Sequence, residues 1–116
     1  MIDEFRRAKR RKVADTILVT DAMTDSVVGR LGNISETGML VMASAPLVED
    51  ALYQLRFRLT DIRLGESTLE LGAHLLWLDR ASAPGQAWTG FRFIAIAADQ
   101  AEQLRQWIES PGGQYD

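Results

Sequence analysis

The chain has 116 residues, 47% of them hydrophobic and 25% charged, which suits one domain with one modest core and leaves little room for a second. Zero cysteines and a single histidine, His74, exclude disulfides, thiolate catalysis, zinc-thiolate sites and a histidine-rich metal centre. No apolar run approaches the roughly 18–20 residues needed to span a bilayer, and the first residues are charged where a secretory signal would be apolar. The expectation is a cytoplasmic protein without membrane insertion.

The net charge of −3 conceals an asymmetry. Residues 6–12, Arg-Arg-Ala-Lys-Arg-Arg-Lys, hold six of the 13 basic residues, so the remainder carries seven basic against 16 acidic residues. A basic cluster on an otherwise acidic chain is a candidate anion site for phosphate, nucleotide or nucleic acid. The same residues also read as a solvated N-terminal arm spanning 1–12, mobile through self-repulsion and the lack of a core contact.

From Val13 the pattern is of short strands separated by turn residues. The first segments are 13–20, 26–34 and 38–43, rich in Val, Ile and Leu. The clearest is 51–59, where Ala51, Tyr53, Leu55, Phe57 and Leu59 alternate with Leu52, Gln54, Arg56 and Arg58, as a half-buried strand requires. Segments 68–78 and 88–96 make six. The connections Asp21–Asp25, Ser44–Asp50, Asp61–Ser67 and Ala81–Ala87 carry turn chemistry and are too short for helical crossovers, so the strands should pair antiparallel in a barrel or a small sandwich.

A helix then closes the chain. Asp99 and Glu102 fit the N-cap and third position of a capping box, and Ala101, Leu104 and Ile108, with Trp107 beside them, make an apolar stripe. Residues 110–116 contain Pro111-Gly112-Gly113 and little to pack a core with, so they are expected to stop the helix and fray, which leaves 13–109 as the folded domain.

Two groups of residues could carry chemistry. Within the arm, Arg7 and Arg11 are four apart with Arg6 directly before, and a guanidinium fork suits phosphate oxygens or guanine O6 and N7. At the end of the second long strand lies Asn33-Ile34-Ser35-Glu36-Thr37-Gly38. The strand period of two points the Asn33 amide and the Ser35 hydroxyl at one spot, and Gly38 marks a close approach or an unusual backbone angle.

Arg6-Arg7-x-x-x-Arg11, followed about twenty residues later by Asn33-x-Ser35-x-x-Gly38, resembles the signature of PilZ domains, bacterial receptors for cyclic di-GMP; Gly90-x-x-Phe93 is similar to a further pattern of that family. The resemblance implies an all-β fold with one helix: a six-stranded antiparallel split barrel and a C-terminal α-helix. It implies that Arg7 and Arg11 bind the phosphates and guanine faces of cyclic di-GMP, that Asn33, Ser35 and Gly38 line the guanine pocket, and that Arg6 suits an intercalated ligand dimer. The departure is Asn33, where many members have Asp; a carboxylate accepts both N1–H and N2–H of guanine, an amide only one.

Elsewhere the pattern favours ordinary structural roles. His74 has no nucleophile and carboxylate in a recognisable order, no paired carboxylates or phosphate loop can be defended, and no enzyme or cofactor is expected. Trp77 shares a face with Leu69, Leu71, Ala73 and Leu75, so core packing is its default reading, with stacking on a ligand base as the sharper alternative. The functional expectation is a cyclic di-GMP receptor whose arm orders over the nucleotide and which signals by contact with an unidentified protein target in motility or biofilm formation. A PilZ-like interaction module that does not bind nucleotide is the alternative. Nucleic-acid binding is disfavoured, because a nucleic-acid groove should itself be basic.

Overall fold

The computed structural model describes residues 8–61, 63 and 65–116. The strands are β1 (Arg11–Lys12), β2 (Leu18–Asp21), β3 (Ser26–Ile34), β4 (Gly38–Ala43), β5 (Leu52–Asp61), β6 (Gly65–Arg80) and β7 (Ala87–Ala95), followed by the helix α1 (Ala98–Glu109). All pairings are antiparallel. The order β3-β2-β5-β6-β7-β4, with β4 returning to β3, closes a six-stranded barrel, and β1 continues the β2 side of β3 as a short seventh strand.

The interior is filled by alternate residues, as the sequence pattern of β5 requires. Leu55, Phe57 and Leu59 are buried, as are Leu69, Leu71, Ala73 and Leu75 of β6 and Ile34, Met39 and Val41 of β3 and β4. Each buried Leu or Phe of this kind stabilises the fold by about 1.5–3 kcal/mol of transfer free energy. Leu104, Trp107 and Ile108 of α1 join the same core, and the Trp107 indole donates to the Thr60 carbonyl at 3.1 Å.

The segment expected to form one strand over 13–20 is divided. Val13 donates to Gly32 O and Leu31 to Ile17 O, so residues 13 and 17 flank neighbouring positions of β3 while Ala14, Asp15 and Thr16 bulge away. The N-cap lies two residues before the expected one: it is Ala97, without a side-chain bond, and Asp99 lies in the first turn. There its negative charge suits the helix dipole. Glu102 bonds Arg105 and Gln106 along the helix instead of reaching back to form a capping box.

The tail also differs from the frayed end expected. Lys12 N donates to Gln114 O at 2.7 Å, Asp116 N donates to Arg10 O at 2.9 Å, and Arg11 bridges Tyr115 in antiparallel fashion. Glycine and proline deny this segment a core contact, but a strand edge can hold it by backbone hydrogen bonds alone.

Candidate functional site

Strand β1 decides which arm side chains meet the barrel. Lys12 is the Cα partner of Asn33 and Arg11 that of Ile34. Since successive side chains alternate, Arg10 and Lys12 fall on the Asn33 side and Arg11 on the other. Arg10 Nη1 donates to Asn33 Oδ1 at 2.9 Å, while Asn33 Nδ2 donates to Asp116 Oδ2 at 2.8 Å and Lys12 Nζ lies 3.6 Å from Asp116 Oδ1. Burial lowers the affinity of the Arg10 guanidinium for its proton and the Asp116 carboxylate opposes this; an arginine stays charged under either influence.

Arg11 is therefore not the residue that reaches Asn33. Its Nη1 donates to Trp107 O at 2.5 Å and to Ser110 Oγ at 2.6 Å, and its guanidinium lies 4.4 Å from the centre of the Trp107 ring. It satisfies the open carbonyls at the C-terminal end of α1, as a cation there should. Arg6 and Arg7, the other arm residues singled out, lie outside the described residues. Arg10 was missed, although Arg6-x-x-x-Arg10 repeats the same spacing one residue earlier.

Asn33 and Ser35 do not share a face. Ser35 is fully buried, and its hydroxyl accepts from Thr37 N at 3.2 Å and Gly38 N at 3.3 Å, so it ties the turn between β3 and β4 together instead of lining a pocket. The strand ends at Ile34, and with it the period of two on which the shared face depended. Gly38 is a close-approach position: a Cβ there would stand 2.2 Å from Phe91 O.

Trp77 is 43% exposed, which corrects its reading as a core residue. The register of β6 against β7 shifts between Leu75, opposite Phe91, and Trp77, opposite Gly90. The extra residue, Leu76, moves Trp77 out of the phase of Leu69, Leu71, Ala73 and Leu75. Its ring lies across Gly90, where a Cβ would be 2.2 Å from Trp77 Nε1.

A row of Cα partners then runs across the barrel: Lys12 to Asn33, Asn33 to Leu40, Leu40 to Gly90, Gly90 to Trp77. Since Met39, Val41 and Phe91 face the core, Leu40 and Gly90 face outward. With strands about 4.8 Å apart, a ring seated on Gly90 stands about 10 Å from Asn33. Trp88 adds to this shelf, its ring 3.2 Å from where a Gly32 Cβ would be. One outer surface thus carries cations and an amide at one end and an indole at the other. A cleft of about 890 Å³ adjoins β1, lined by Arg11, Lys12, Thr16, Arg56, Arg58 and Trp107 among others; neither Asn33 nor Trp77 borders it. Its Arg56 and Arg58 face the carboxylates of Asp25, Glu70 and Glu66.

The PilZ domain model matches residues 4–110. The chain belongs to the PilZ domain family. Solved structures agree on the fold. The Bacillus subtilis inhibitor of motility, MotI/DgrA, superposes with a TM-score of 0.71 at 17% identity, over 88% of this chain and 48% of that one. The PilZ domain of Escherichia coli YcgR with c-di-GMP gives 0.63 at 19% identity, over 87% of this chain and 86% of that one. YcgR in complex with c-di-GMP gives 0.63 at 22% identity, over 89% of this PilZ domain and 44% of that chain. This PilZ domain therefore spans about half of MotI and somewhat less than half of the longer YcgR chain. Curated protein sequences give no match. No helix among the described residues is long and apolar enough to cross a membrane.

Proposed function

We propose that this PilZ domain is a cyclic di-GMP receptor that signals through protein–protein contact, with the nucleotide lying on the outer face between the arm and Trp77. The observation that carries this reading is the row from Lys12 and Asn33 through Leu40 and Gly90 to Trp77. Cyclic di-GMP is a dianion with two flat purines, so it needs cations for its phosphates, a polar edge for guanine and an apolar plane for stacking. Family membership and the cyclic di-GMP complexes of YcgR support the choice of ligand.

In this reading Arg10 takes the place first given to Arg11, and with Arg6 and Arg7 contacts phosphates and guanine faces. Asn33 meets a guanine edge, Trp77 stacks on a base, and Ser35 and Gly38 hold the turn that positions Asn33. Ordering of the N-terminal arginine arm over the nucleotide supplies the switch, and Arg6 favours an intercalated pair of nucleotides. The downstream partner is a protein, and motility control is the process suggested by the likeness to MotI.

Calorimetry with cyclic di-GMP, using GTP and a short RNA as controls, tests the assignment. Saturable binding of cyclic di-GMP alone is expected, at two nucleotides per chain falling toward one in Arg6→Leu. Silence toward all three would leave the family's non-nucleotide adaptor role, and binding of RNA would overturn the ligand.

A further inference from the structure

Both polar atoms of the Asn33 amide are already engaged. Its oxygen accepts from Arg10, and its nitrogen donates to Asp116. The group that closes it off comes from the far end of the chain, 83 residues away, and that group is an anion standing among the arm's cations. We propose that residues 113–116 are an autoinhibitory strap that competes with the nucleotide for Asn33, Lys12 and the Arg10 side of β1. The inference rests on the cyclic di-GMP reading above.

Three kinds of anchor hold the strap. Its backbone pairs with the free edge of β1 through Lys12 N to Gln114 O and Asp116 N to Arg10 O. The Asp116 carboxylate spans Asn33 and Lys12. The Tyr115 hydroxyl donates to Ile108 O at 2.6 Å, tying the strap to the last turn of α1, and Lys9 Nζ lies 5.6 Å from the centre of the Tyr115 ring. Gly113 makes the path available: a Cβ there would stand 2.7 Å from the Tyr115 hydroxyl and 3.1 Å from Arg11 Nε.

These contacts set the sign of the effect. A guanine edge meets an Asn33 amide whose oxygen and nitrogen Arg10 and Asp116 already crowd, and a dianionic ligand approaching Lys12 and Arg10 is repelled by the Asp116 carboxylate already there. The anchors are also weak enough to release. Tyr115 and Asp116 are exposed, and the ion pair of Asp116 is a surface one. Arg11 stays with Trp107 and Ser110 when the strap leaves, so β1 itself remains docked.

The test uses the full chain. Titration with cyclic di-GMP is compared for wild type, Asp116→Asn and Tyr115→Phe, and hydrogen exchange is followed at the Lys12 and Asp116 amides. Both variants should bind about threefold to tenfold tighter, the gain expected when a site open about 10–30% of the time is freed. The two amides should be protected about threefold to tenfold in the free protein and lose that protection at saturating nucleotide. Unchanged affinity in both variants, or slow exchange persisting with nucleotide bound, would overturn the strap alone. Weaker binding by Asp116→Asn would overturn it in favour of Asp116 as a ligand contact. No binding by any form would remove the receptor reading, and the strap with it.

Discussion

The Arg11 guanidinium lies 4.4 Å from the Trp107 ring centre and donates to the Trp107 carbonyl at 2.5 Å, so a cation from the basic arm closes the far end of α1. Arg10, its neighbour, points the opposite way, to Asn33. Two adjacent arginines of one basic run are thereby divided between stability and the candidate site.

That division predicts opposite phenotypes. Arg11→Ala should lose charge-assisted bonds and a cation–π contact, costing about 2 kcal/mol and lowering Tm by roughly 5–10 °C. Arg10→Ala should leave Tm within a few degrees and weaken cyclic di-GMP binding about tenfold or more. Thermal unfolding and calorimetry on the two variants check this, and the reverse pattern would return Arg11 to the site.

Trp77 and Gly90 form a second testable pair. Trp77→Ala should cost about 1–3 kcal/mol of binding if a base stacks there, with little change in Tm because the ring is 43% exposed. Gly90→Ala should have a similar effect on binding, because the added methyl occupies the place of the indole and forces it off the shelf. Full affinity in both would move the ligand away from β6.

How much of this was legible in the sequence depended on how local the determining interaction is. The alternation of Tyr53, Leu55, Phe57 and Leu59 against Gln54, Arg56 and Arg58 is enough to place β5, since burial of one face is written in every second residue. The stripe of Leu104, Trp107 and Ile108 likewise marks the buried side of α1. Trp77 was misread because one inserted residue, Leu76, inverts the phase of everything after it, and a bulge depends on the register with β7. Arg10 and Arg11 could not be told apart without the pairing of Lys12 to Asn33. The tail looked unanchored because part of its hold on β1 is made by backbone groups, which every residue but proline carries in full, and the partners of its Asp116 and Tyr115 side chains are set only by the fold.

The turn between β3 and β4 predicts a stability effect where a pocket effect had been expected. Ser35→Ala removes the acceptor of the Thr37 and Gly38 amides from a fully buried position and should cost about 1–3 kcal/mol. Tm should fall, with affinity reduced only as far as Asn33 is displaced. A binding loss without a change in Tm would instead place the Ser35 hydroxyl on the ligand.

The core position of α1 offers a test of the fold apart from any ligand. Leu104 is 1% exposed, so Leu104→Asp should unfold or aggregate the domain by burying an unpaired charge. Leu104→Ala should remain folded and lose about 2–5 kcal/mol. A soluble Leu104→Asp variant with wild-type Tm would mean that α1 does not pack on the barrel.

Asn33→Asp joins the site to the strap. The Arg10 bond becomes an ion pair and strengthens, while the donor that held Asp116 at 2.8 Å is replaced by a second carboxylate that repels it. Asp116 then loosens from Asn33 and from Lys12 together. A guanine edge presents two donors, and a carboxylate at position 33 accepts both where the amide accepts one. The firmer Arg10 contact opposes the guanine edge, but release of Asp116 and the second acceptor outweigh it, so cyclic di-GMP affinity should rise on the order of tenfold, and the Asp116 amide should exchange faster in the free variant than in wild type. Wild-type affinity despite a released tail would place the guanine edge away from position 33. Unchanged protection of Asp116 would show that its backbone and Lys12, not Asn33, keep the tail in place.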